Sequence, residues 1–91
     1  MDLSDRRVKK NDNIAWRIIE EEALLVSPKD SLIYPLNNVG TRVWELLNGE
    51  KTCKDIIDII NEEFEGEKTE INEDILDFIK KLTDNGLASL I

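Results

Sequence analysis

Apolar positions fall in two rhythms along the chain. Between residues 14 and 37 they come in short runs: IAWRIIE (14–20), EALLVS (22–27) and SLIYPLN (31–37). In the first, Trp16 and Ile18 share a face at a spacing of two. In the last, Leu32, Tyr34 and Leu36 alternate with Ser31, Ile33 and Pro35. Alternation of this kind marks β-strands. SPKDS (27–31) supplies turn chemistry between the second and third runs, because proline presets φ and Asp30 bonds back to its own backbone. EEE (20–22) is the other connection, although it lacks Gly or Asn. These runs predict an antiparallel three-stranded meander.

After Asn37 the spacing changes to that of helices. A first helix is expected from Asn38 to Leu47, capped by Asn37 or Asn38 and stopped at Gly49. A second begins with Thr52 as N-cap and Asp55 three residues on, a variant of the capping box. Its apolar positions are Ile56, Ile57, Ile59, Ile60 and Phe64, and Gly66 breaks it. A third is expected from near Asn72, where Glu73 and Asp74 complement the helix dipole. Its stripe is Ile71, Ile75, Phe78, Ile79 and Leu82, and Asn85-Gly86 closes it. LASLI (87–91) reads as a last short strand or a docked tail. Residues 1–13, with only Leu3 and Val8 apolar after the initial Met, read as a flexible N-terminal arm. The fold class is therefore α+β: a three-stranded antiparallel meander followed by a three-helix bundle, in one domain over residues 14–91.

Pro35 sharpens this picture. Proline cannot donate to a ladder, so within a sheet it belongs on an edge strand or at a bulge. The third strand of a meander is an edge, and its outer side is open. Either the third helix, LASLI or Pro35 itself manages that edge, or a partner peptide adds to it as a further strand. Leu76 sits off the main stripe of the third helix. It either packs on the second helix or, with Ile79, lines an apolar groove beside the strand.

Charge narrows the partners. The chain of 91 residues carries a formal net charge of −8. Residues 1–36 hold six basic and seven acidic side chains, and residues 37–91 hold six and thirteen. Such a surface repels a phosphate backbone, and Glu73, Asp74, Asp77 and Asp84 against Lys80 and Lys81 make the third helix unfit to read DNA. The basic cluster Arg6, Arg7, Lys9 and Lys10 reads as a solvated tail. The sequence has no histidine, which removes the commonest general base and metal ligand. The single cysteine, Cys53, leaves no disulfide within the chain, as suits a reducing cytoplasm. Glu62, Glu63, Glu65, Glu67 and Glu70 lack the spacing of a calcium loop and read as a solvated face. Trp16 and Trp44 read as core anchors, and Gly40 as a point of close approach to the first helix. No apolar run nears the length of a membrane span. No catalytic constellation, cofactor or metal is expected.

Leu36-Asn37, Val39-Gly40, Val43-Trp44-Glu45-Leu46-Leu47, Asn48-Gly49, Thr52, Ile56-Ile57 and the terminal Asn85-Gly86-Leu87 together resemble the PqqD family. These are small peptide-binding chaperones of pyrroloquinoline quinone biosynthesis. Their fold recurs as the recognition element of enzymes that modify ribosomally made peptides. The resemblance spans about residues 14–91. It implies a winged-helix-like fold, a leader peptide bound along the third strand against the third helix, and its delivery to a partner enzyme, often a radical S-adenosylmethionine (radical SAM) protein. Carried over, the peptide site is Leu32, Ile33, Tyr34 and Pro35 on the strand and Ile75, Leu76 and Ile79 on the helix. The competing expectation is a structural or regulatory winged-helix module that homodimerises through the same edge.

Overall fold

The computed structural model describes residues 3–27 and 31–91. Among these residues are two small antiparallel sheets, three α-helices and a short 3-10 turn at Leu3–Asp5. The first sheet is the expected meander: β2 (Ala15–Ile19), β3 (Glu22–Val26) and β4 (Ile33–Pro35), with β3 in the centre. Glu20 and Glu21 make the β2–β3 turn and both have positive φ, 52° and 70°. A two-residue hairpin needs this left-handed backbone to match the twist of its strands, so the turn forms without the Gly or Asn that usually supplies it. The turn chemistry assigned to Pro28 and Asp30 lies outside the described residues. On its near side the Ser27 N–H donates to the Leu32 carbonyl at 3.0 Å.

The second sheet departs from expectation. Its strands are β1 (Arg7–Lys10), β5 (Asn48–Thr52) and β6 (Ala88–Leu90), with β1 in the centre. The segment read as a flexible arm is therefore structural over residues 7–10. Val8 is fully buried, and the strand bonds on both sides to segments distant in sequence. Lys10 is equally unlike a solvated tail. Its Nζ donates to the carbonyls of Glu45 and Leu47, both at 3.3 Å, and lies 5.9 Å from the ring centres of Trp16 and Trp44. Burial lowers its pKa against the opposing pull of Glu45 and Asp12. Gly49, expected to stop the first helix, carries φ 82° at the start of β5. LASLI supplies β6, so it pairs with β1 and leaves the outer side of β4 open.

The helices are α1 (Asn38–Leu46), α2 (Cys53–Glu63) and α3 (Lys68–Asp84). Asn37 caps α1 by accepting the Gly40 N–H at 2.8 Å. Thr52 and Asp55 form the full reciprocal capping box of α2. α3 begins one turn earlier than Asn72, and its N-cap, Glu67, makes no side-chain capping bond. The end of the helix therefore carries no local signal in the sequence. Trp44, Leu47, Ile56, Ile60, Ile75, Ile79 and Leu87 join Val8, Leu25 and Val43 in one core. Trp44 is the central anchor. Trp16 stands against it edge-on, at 6.1 Å and 81°, but remains partly exposed. The buried Thr41 hydroxyl accepts the Ala23 N–H at 2.8 Å and fastens α1 to β3 where β4 has turned away. No helix among the described residues is long and apolar enough to cross a membrane.

Candidate functional site

The open edge of β4 follows from its ladder. Leu36 donates to the Ala23 carbonyl at 2.8 Å and Ser27 to the Leu32 carbonyl at 3.0 Å, with Tyr34 opposite Leu25 between them. In an antiparallel pair the bonded residues alternate. Residues 32, 34 and 36 therefore turn their backbone groups toward β3, while Ile33 and Pro35 turn theirs outward. The N–H that proline lacks is one that would have pointed away from the sheet, which is why Pro35 costs the ladder nothing. The edge then presents the N–H and carbonyl of Ile33 and the carbonyl of Pro35. Among the described residues no strand pairs with this side.

Beside the end of β4 lies a groove of about 330 Å³. Pro35, Leu36, Asn37, Val39, Gly40 and Val43 form one wall, and Ile71, Asp74, Ile75 and Phe78 of α3 form the other. The positions on α3 follow an i, i+3, i+4, i+7 pattern, one face of a helix. Gly40 sets the separation of the walls. A β-carbon there would stand 3.5 Å from the Phe78 ring and 3.2 Å from the Asn37 amide oxygen that caps α1. The close approach expected of Gly40 is thus to α3. The lining is apolar except for Asn37 and Asp74.

The residues expected at the site divide as follows. Leu32 and Ile33 are exposed, at 52% and 61%, and Ile33 sits on the outer face of the sheet opposite Val26. Tyr34 is half-buried on the inner face, opposite Leu25. Pro35 lines the groove, and so does Ile75, whose remaining surface is only 1%. Leu76 is half-buried but turned away from the groove, and Ile79 is fully buried in the core. Six further lining residues, Leu36, Val39, Gly40, Val43, Ile71 and Phe78, are not among those the sequence points to as a peptide site. Asn37 and Asp74 were read as helix-end residues. The available signal was the tight cluster of Ile71, Ile75 and Phe78 on the helical wheel, whose outer part the core does not cover.

Comparison with known proteins agrees with this architecture. TbiB1, solved in complex with the TbiA(beta) leader peptide, is 27% identical, with a TM-score of 0.77 over 89% of this chain and 94% of that one. Lasso peptide synthetase B1, solved with the leader peptide, shares the fold at 19% identity and a TM-score of 0.77, covering 91% and 98% of the two chains. The heterocyclase TruD shares it at 17% identity and a TM-score of 0.65, over 94% of this chain but 12% of that one. Curated protein sequences gave no match. Residues 22–88 match the family model described as Coenzyme PQQ synthesis protein D (PqqD), and the chain belongs to that family.

Proposed function

We propose that this chain captures the leader segment of a ribosomally made precursor peptide and presents it to a modifying enzyme, without itself performing chemistry. The observation that carries the reading is the juxtaposition of the open β4 edge with the apolar groove between β4, α1 and α3. An extended peptide laid on that edge satisfies its backbone at Ile33 and sets alternate side chains over the groove, the two elements of recognition by strand addition. TbiB1, a structure of the same fold with 27% identity, holds a leader peptide, which supports the same class of ligand here. Asp74 is the one ionisable group in the lining and the sequence has no histidine, so the groove suits holding a peptide rather than transforming it. The partner enzyme would be of the radical SAM or another peptide-modifying type, acting in the cytoplasm.

The test is an amide-resolved NMR titration of the protein with the leader of the precursor encoded beside its gene. Shifts concentrated on residues 31–37 and on Ile71, Asp74, Ile75 and Phe78 are expected. Shifts confined to β1, β5 and β6, or a dimer that occupies the β4 edge and excludes the peptide, would overturn the assignment.

A further inference from the structure

We propose that the segment held in this groove is basic, with lysine or arginine side chains interleaved among its apolar ones and set against Asp74. This rests on the peptide-binding reading above and adds the chemistry of the ligand.

Asp74 is the only charged residue in the groove lining, which is apolar apart from it and Asn37. One turn to either side along α3 stand Glu70 and Asp77, both exposed and on the same flank of the helix. Among the described residues none of the three has an ion-pair partner. The opposite wall, from Pro35 to Val43, contributes no charge to the lining. Arg42, the cation nearest in sequence to that wall, is held by Glu63 of α2 through two bonds at 2.8 and 3.0 Å. Lys81, one turn beyond Asp77, is the nearest cation on that flank of α3, and the lining of the groove itself holds Asp74 and no lysine or arginine.

Asp74 is exposed on the rim of the groove, and filling the groove removes part of its water. A carboxylate that loses water without gaining a partner opposes binding, and a second carboxylate brought beside it opposes binding further. A lysine or arginine on the incoming strand removes both costs. The three carboxylates also attract a cationic segment before contact, an effect that salt screens. The apolar lining selects for side chains that fill it, and the acidic flank selects the sign of those between.

The experiment uses two fluorescein-labelled synthetic strands of fourteen residues, identical at alternating valine, leucine and tyrosine positions. The intervening residues are lysine in one and glutamate in the other. Fluorescence anisotropy against the intact protein is expected to show the lysine strand binding at least about tenfold tighter at low salt, with the preference shrinking as ionic strength rises. Asp74→Asn combined with Asp77→Asn should remove most of the preference. Asp58→Asn combined with Glu62→Gln, the same charge change on exposed positions of α2, should leave it, which separates a local effect from the net charge of −8. Equal binding of the two strands, or a preference equally sensitive to both double variants, would overturn the charge selection while leaving peptide binding intact. Binding of neither strand would overturn the peptide-groove reading and this proposal together.

Discussion

Proline placed at two neighbouring positions of β4 separates the open edge from the ladder. The Tyr34 N–H points at β3, and the Ile33 N–H points away from it. Tyr34→Pro therefore removes a ladder donor and leaves the Leu25 carbonyl unanswered, at about 1–3 kcal/mol. It also discards a half-buried ring that packs on the core, for roughly a further 1–2 kcal/mol. Ile33→Pro removes no bond of the sheet, and its side chain is 61% exposed, so its cost should stay near 0.5 kcal/mol, as for surface substitutions in general. With a urea slope of about 1–1.5 kcal/mol per molar, the unfolding midpoint should fall by about 1.3–5 M in Tyr34→Pro and by no more than about 0.5 M in Ile33→Pro. Binding reverses the order of interest. Ile33→Pro keeps the fold but deletes the one N–H the edge offers to an added strand, leaving a carbonyl of that strand unpaired. The expected loss is about 1–3 kcal/mol, or some 5- to 150-fold in Kd, read by anisotropy with the lysine-containing strand. Equal midpoint shifts in the two variants would refute the assigned alternation. Unchanged binding by folded Ile33→Pro would refute strand addition at this edge.

Two further outcomes test other parts of the structure. Glu20 and Glu21 hold left-handed backbone angles that cost a non-glycine residue about 1–2 kcal/mol. Replacing them as Glu20→Asn and Glu21→Gly should raise stability by roughly 1 kcal/mol and Tm by about 4–8 °C, and a lower Tm would contradict the turn. The second concerns Glu63, whose carboxyl is held below its ordinary pKa by the hydrogen bond from Arg42. A carboxylate lowered in the folded state contributes stability that is complete above its unfolded pKa and is lost as pH falls through the folded one. The carboxyl carbon of Glu63, followed by NMR, should titrate at a higher pH in Arg42→Gln than in the parent. An identical midpoint would show that the pair does not persist in solution.

The meander and the second helix were legible because their signals are local. Period-two alternation, Pro35 on an edge and the Thr52–Asp55 box each sit within a few residues. β1 was not legible, since a four-residue strand with Val8 as its lone apolar residue forms through bonds to β5 and β6, which no window of sequence contains. The early start of α3 escaped for a related reason, because Glu67 offers no side-chain cap. At the groove, the strand was marked by proline, whereas the helix face was displaced. A helical wheel identifies an apolar stripe but not where the core stops covering it. Ile79 lies under that cover, and Ile71 and Phe78 extend beyond it.

The placement of β1 also dictates when the domain can be completed. Its backbone bonds to β6, and the Arg6 side chain reaches the Ile91 carbonyl, 85 residues away along the chain. Every residue of the groove lies between Pro35 and Phe78. β1 pairs with β5 on one side and with β6 on the other, and pairing at such long sequence separation is slow to form. Strand β1 is locked between strands that lie far along the chain. The contacts that shape the groove span less of the chain than the pairing of β1 with β6, which makes that pairing the longest-range step in completing the domain.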